Sequence, residues 1–414
     1  MGWNSWDCFG VSVTEAEILE NAGFMAEHLK PFGWEYVVVD LDWYAPHASV
    51  ENYKIFGLEK CVDSFGRLIP DPVKFPSSAN RAGFKPLADR IHSLGLKFGI
   101  HIMRGLPWQA AEQNLPILGS SSSCGNIAQK NDRCFWYANN YGIDCTRDGA
   151  QAYYDSICQL YADWGVDLIK ADDMNSWDGE GQNYPYHTDE IEALAAGIAK
   201  TGRPMVLSLS PGAARVCNAK HLRRHSNMWR ISYDFWDDWE ALTKQFERCD
   251  LWSRYITPGA WPDADMLPIG KIGIRGEIGT PRQSNFTPDE MRTLMTLWCI
   301  IRSPLMFGGH LPESDPAAID LCTNPEVIAV NQHSSKNRQL CHIPQEKAIW
   351  SAEAPDGSTY LAFFNLSNSP LDFQETFDHP ALIRDLWNRK DIGTEQLSFT
   401  VTVPPHGAAL FRIK

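Results

Sequence analysis

The sequence predicts an α/β fold: a closed (β/α)8 TIM barrel over residues 1–331, followed by a small C-terminal antiparallel β-sandwich over 332–414. Three observations carry this. Short apolar, β-branched runs alternate with helical patterns eight times before the pattern changes, which implies a parallel sheet with right-handed crossovers. Each run ends in polar and aromatic residues, as at the ligand-binding end of barrel strands. Beyond about Asn331 only short strands punctuated by turns remain.

In chain order, Gly2-Trp3-Asn4-Ser5-Trp6 opens the first unit. Thr14 to Leu29 reads as a helix, with Thr14 as N-cap and Glu17 as its capping-box partner. Trp34 to Asp40 is a β-branched strand ending in Asp40-Leu41-Asp42-Trp43-Tyr44. Pro86 to Leu94 is helical, and Leu96 to Met103 is the third strand, ending at Arg104-Gly105. The polar stretch from Leu106 to Ile143 has the length of a functional loop. Helix Thr146 to Trp164 leads into Val166 to Met174, where Lys170, Asp172 and Asp173 arrive together at a strand tip. Helix Thr188 to Thr201, with Thr188 as N-cap, precedes strand Pro204 to Ser210. Strand Asn227 to Ser232 ends in an acidic, aromatic tip containing Asp234. Helix Trp239 to Leu251 follows, then a tip with Asp263 and Asp265, a helix begun by Thr287-Pro288, and strand Ser303 to Phe307. The sandwich strands are 348–351, 359–365, 371–376, 381–386, 397–403 and 408–413, with turns at Asp356-Gly357 and Pro405-His406-Gly407.

Composition limits the function classes. A formal net charge of -14 argues against nucleic acid or an anionic membrane as partner. No run of 18 or more apolar residues is present, so no transmembrane helix is expected. No signal peptide is legible, although Met1-Gly2-Trp3 already reads as a strand, so an extracellular or periplasmic address requires a removed leader and a cytoplasmic one does not. Eleven cysteines leave at least one unpaired, and Cys124, Cys134 and Cys145 are close enough in sequence for a disulfide. No Cys-x-x-Cys or His-Glu-x-x-His pattern occurs, so neither metal nor cofactor is expected. Sixteen tryptophans suit a carbohydrate site, although a large core uses them too. Homo-oligomerisation is compatible with the sequence.

The chemistry centres on two carboxylates. Lys170 and Asp172 are two apart on a strand and so share a face, where the lysine would favour an ionised Asp172. A buried pair that merely closes a loop would look the same. Asp234 follows two βα units later, so the tips of strands four and six would face each other across the barrel mouth. Arg230 stands four residues before it. Two carboxylates across a sugar pocket suit glycoside hydrolysis.

These residues resemble glycoside hydrolase family 27, the α-galactosidase and α-N-acetylgalactosaminidase family. The matching pieces are Met1 to Trp6, Asp40 with Trp43, Trp164 to Leu168 running into Lys170-x-Asp172, Trp229-Arg230 with Asp234, Pro262-Asp263-x-Asp265-Met266-Leu267 and Ser303-Pro304-Leu305, in family order. The resemblance implies a retaining exo-glycosidase acting on an oligosaccharide or glycoconjugate, with Asp172 as nucleophile and Asp234 as general acid and base. It implies that Trp3 stacks on the sugar, that Asp40, Lys170 and Arg230 bind hydroxyls, that Met266 packs on the ring and that Asp265 lies in the wall. Departures concern the substrate. The family has two consecutive aspartates, reading the 4- and 6-hydroxyls, where this chain has Asp40-Leu41 with Asp42 beside it. A family tyrosine is Ala171, another is His101 with Arg104 close behind, which would add positive charge to the pocket, and a family cysteine is Met174. Ser210 and Ala213 match the small residues that accommodate an N-acetyl group. The expected substrates are therefore α-galactosides or α-N-acetylgalactosaminides. A β-L-arabinopyranoside is the rival substrate, and a non-catalytic sugar-binding barrel the reading from another class.

Overall fold

The computed structural model describes residues 1–175 and 184–414. Among these, eight parallel strands form one sheet: β1 (Gly2–Asn4), β2 (Tyr36–Val39), β3 (Lys97–Met103), β4 (Leu168–Asp172), β5 (Val206–Leu209), β6 (Met228–Arg230), β7 (Trp261–Asp263) and β8 (Met306–Phe307). Consecutive strands are neighbours, and β8 pairs with β1 through Gly2 and Met306. The remaining seam is closed just past β7, where Leu267 bridges Phe307 in parallel, with Leu267 N donating to Met306 O at 2.8 Å. The sheet therefore curls into the expected barrel.

The helices begin where local chemistry favours them. In α1 (Glu15–His28), Thr14 and Glu17 form the capping box. Helices α2 (Lys85–Ser93), α3 (Ala150–Trp164) and α4 (Thr188–Thr201) follow β2, β3 and β4. His187, not Thr188, is the N-cap of α4, without a side-chain cap. Helix α5 (Ala219–His225) connects β5 to β6 and lacks a sequence signal, because it spans only two turns. Asp238 caps α6 (Trp239–Ser253), and Thr287 with Glu290 forms a second capping box on α7 (Pro288–Ile300). The 106–143 stretch, expected to be irregular, holds a small three-stranded sheet and two short helices. All eleven cysteines are free, which corrects the disulfide expected among Cys124, Cys134 and Cys145. No helix among the described residues is long and apolar enough to cross a membrane.

The C-terminal strands form two antiparallel sheets. One contains β9 (Ser335–Ile343), β10 (Lys347–Glu353), β11 (Thr359–Asn365), β13 (Ile383–Asp385), β14 (Lys390–Asp391) and β16 (Ala408–Ile413). The other pairs β12 (Leu371–Ala381) with β15 (Gln396–Val403). Phe363, Phe373, Phe399 and Phe411 fill the space between them. On the opposite face Trp350, Phe364 and Leu410 belong to the same apolar cluster as the barrel helices, so the first sheet is packed on both sides. Strand β9 was not expected, because its polar, largely exposed residues lack an alternating apolar face.

Candidate active site

Strand alternation decides which residues reach the barrel interior. Asn4, Val38, Leu168, Lys170, Ser208, Met228, Arg230 and Asp263 share one inward-facing space. The same parity carries Asp40, Asp172 and Asp265 to the mouth, where a cavity of about 800 Å³, open vestibule included, is lined by Asp40, His101, Lys170, Asp172, Arg230, Asp234, Asp265 and Met266. Those eight expected residues are thus brought together from five strand ends.

The floor is a charge relay between strands. Lys170 Nζ donates to Asp40 Oδ2 at 2.9 Å, and Asn4 Nδ2 donates to the same oxygen at 2.7 Å. Burial works against an ionised Asp40. The neighbouring Lys170 and His101 outweigh it and hold the carboxyl well below its usual range. Lys170 is held above the ordinary lysine value, since Asp40 and Asp172 more than offset its burial. The direct partner of Asp172 is therefore not the lysine. His101 Nε2 meets Asp172 Oδ2 at 3.2 Å, and the Asp173 backbone N–H donates to Oδ1 at 2.8 Å. Burial again opposes ionisation, but His101, Lys170 and that N–H together keep Asp172 below the usual carboxylate range.

The opposite wall is organised by Arg230. Its Nη2 lies 3.1 Å from Asp234 Oδ1 and 2.7 Å from Asp265 Oδ2, so one nitrogen bridges two carboxylates. Asp265 also accepts from the backbone N–H groups of Phe235 and Met266 at 2.8 Å, which fixes the loop that carries Asp234. Burial pushes Asp265 up to about 7, with Arg230 opposing and Asp234 and Asp263 adding to the rise. The Asp234 side chain is 65 % exposed. It therefore stands at the open side of the cavity, unlike the buried Asp40, Asp172 and Asp265.

Six expected residues lie outside this lining. Trp3 alternates with Asn4 and so points away from the interior. It is fully buried, with Nε1 donating to Gly309 O at 2.7 Å, and Trp6, beyond the strand, provides the indole at the cavity instead. Trp43 is equally buried, donating to His101 O at 2.7 Å and packing on Phe84 and Trp164. Asp42 turns below the floor and accepts from Tyr137 Oη at 2.6 Å, so it does not replace a second acid beside Asp40. Leu41 lines the cavity there. Arg104, expected to add charge to the pocket, is 3 % exposed and locked to Asp173, Asp132 and Glu190. Ser210 is 1 % exposed, with its Oγ unpartnered among the described residues, and Pro211-Gly212 present the surface instead of Ser210 and Ala213.

Sequence reasoning missed Trp6, Asp7, Tyr53, Lys54, Trp136, Pro211, Gly212, Tyr233, Phe235, Trp236 and Glu277, and noted Leu41 only as a departure beside Asp40. Tyr53 Oη and Lys54 Nζ both donate to Glu277 Oε1 at the rim, at 2.7 and 2.5 Å. Trp6 was legible as the second tryptophan of the first tip. The 53–54, 136 and 277 contributions come from long excursions whose folding has no local signature.

The whole chain is similar to known proteins. Residues 127–333 match the family model described as alpha galactosidase A, and residues 345–413 match the alpha galactosidase C-terminal beta sandwich domain. A β-L-arabinopyranosidase of glycoside hydrolase family 27 from Geobacillus stearothermophilus is 46% identical, with all of this chain and 95% of that one covered and a TM-score of 0.96. A Bacillus halodurans C-125 protein provisionally named an α-N-acetylgalactosaminidase is 44% identical, with 100% and 96% covered and a TM-score of 0.89. Alpha-galactosidase 2 of Arabidopsis thaliana is 24% identical, over 100% of this chain and 88% of that one.

Proposed function

The chain belongs to glycoside hydrolase family 27, and from that premise we propose that it is a retaining exo-glycosidase that removes terminal β-L-arabinopyranosyl groups. The observation that carries the substrate is Leu41. β-L-Arabinopyranose has the ring configuration of α-D-galactopyranose but ends at C5. An apolar side chain beside Asp40 suits a ring with no 6-hydroxyl to bind. A site that buries a sugar hydroxyl against leucine leaves it unpaired, which disfavours the hexose. The similarity to the Geobacillus stearothermophilus arabinopyranosidase supports the same reading.

In this reading Asp172, kept ionised by His101 and Lys170, attacks the anomeric carbon while Asp234 protonates the departing oxygen. The glycosyl ester on Asp172 is then hydrolysed by water, with Asp234 now acting as base. Asp40, Lys170 and Arg230 bind ring hydroxyls, Trp6 packs on the sugar, and Met266 and Asp265 complete the wall. Residues 1–331 form the catalytic barrel and 332–414 the sandwich. The galactose-series reading uses the same machinery, but Ser210 and Ala213, the sequence basis of its N-acetylgalactosaminide branch alone, lie off the cavity lining.

Nitrophenyl β-L-arabinopyranoside, α-D-galactoside and α-N-acetylgalactosaminide, compared by kcat/KM, test the substrate. The arabinopyranoside is expected to be turned over best, and a preference for either hexoside overturns the assignment. Proton NMR of the first sugar released tests the mechanism: the β-L anomer is expected, and the α-L anomer would mean inversion.

A further inference from the structure

A second constellation lies on the outside of the barrel. His221 and His225 are four apart on α5, and Glu192 reaches them from α4. Their ligand atoms all lie within 4.8 Å of one another. His221 Nε2 is 3.2 Å from Glu192 Oε1, and the two imidazoles are stacked with centroids 4.4 Å apart. We propose that Glu192, His221 and His225 form a zinc-binding site that clamps α4 to α5.

Three features favour a metal over a simple polar contact. Histidines at i and i+4 present two nitrogens from one helix face, the spacing by which helices chelate zinc. Bonds of about 2.0–2.1 Å in tetrahedral geometry put neighbouring ligand atoms roughly 3.3 Å apart, close to the measured His221–Glu192 spacing. Tyr186 Oη lies 2.6 Å from His221 Nδ1 and can accept a hydrogen bond from Nδ1–H, the tautomer that leaves the Nε2 lone pair for a metal; metal-binding histidines are held in this way by an outer partner. Glu192 is exposed and can swing in, and a water would take the fourth position. The other His-carboxylate cluster, Asp132, His187 and Glu190, is different in kind. Arg104 Nη1 already donates there to Asp132 at 2.8 Å and to Glu190 at 2.6 Å, so a guanidinium fills the place a cation would take.

The sequence carried no zinc motif because the third ligand belongs to another helix. The clamp would join the two helices flanking β5, whose following residues Pro211-Gly212 line the cavity.

The test uses the full-length, untagged chain stripped with a chelator and titrated with Zn²⁺ by calorimetry, and with Co²⁺ by visible absorption. One metal per chain is expected, with intense four-coordinate Co²⁺ bands and a melting temperature raised by a few degrees at saturation. H221A, H225A and E192Q should each weaken binding at least tenfold; the two histidines are half-buried, so a metal-free thermal melt of each variant checks its fold, and E192Q at an exposed position keeps the test open. Wild-type affinity in any of the three variants, half a metal per chain, or only the weak bands of hexa-aqua Co²⁺ would overturn the proposal.

Discussion

Replacing Leu41 by Asp should convert the sugar preference. The backbone N–H of Leu41 donates to Asp40 Oδ1 at 2.9 Å, a contact that any residue keeps, so the side chain is the only variable. A new carboxylate would sit at the cavity wall within the field of Lys170 and His101, which already hold Asp40 ionised. For a galactoside it would gain a charge-assisted hydrogen bond to the 6-hydroxyl, worth ~1.5–3 kcal/mol. For an arabinopyranoside it would lose an apolar contact worth ~1–2 kcal/mol, the scale of one or two methylenes in a pocket. The two effects add in the ratio of kcat/KM values, which should move toward galactose by roughly 60- to 4,000-fold at 1.4 kcal/mol per tenfold. The assay is kcat/KM on paired nitrophenyl glycosides, with L41N separating hydrogen bonding from charge and a thermal melt confirming that both variants fold. A ratio within threefold of the parent in a folded L41D would refute the argument that Leu41 excludes C6.

Four further expectations follow from the geometry. D234A should slow substrates with poor leaving groups far more than nitrophenyl glycosides, because proton donation matters most there; equal losses across a leaving-group series would remove its acid role. R104M should cost about 3–5 kcal/mol in urea unfolding, since it strands buried Asp173 and Glu190, and a normal melt with impaired kcat/KM would instead restore Arg104 to the pocket. W6A should raise KM with little change in stability, whereas W3A should cost ~3–5 kcal/mol by opening a core cavity, and stability curves with Michaelis plots would expose any reversal. Asp173 titrates with the fold: burial lifts it from 3.8 to about 6, with Arg104 opposing. The folded chain then keeps a proton that the unfolded chain loses, so this contribution is full below pH 3.8 and is lost as pH rises through 6. The gap of about two pH units corresponds to roughly 3 kcal/mol. Stability of the parent should fall between pH 4 and 6 relative to D173N, and parallel curves would disprove it.

Much of this protein is local chemistry written into the chain. The capping box at Thr14–Glu17 starts a helix wherever it sits, because the two residues satisfy backbone donors within one turn. Period-two alternation sends Asp40, Lys170, Asp172 and Arg230 to one side of their strands, so the inward-facing groups of the second, fourth and sixth strands were legible before any coordinates. Tertiary structure decided what alternation does not govern. Past a strand end there is no parity, so Trp43, Asp42 and Trp6 took their places from packing, and Trp3 was misassigned because its strand register had not been fixed. Arg104 looked like a pocket cation until α4 and the 106–143 excursion brought three carboxyls to it. Leu41 beside Asp40, and Glu192 beside His221 and His225, owe their meaning to neighbours that only the closed barrel supplies.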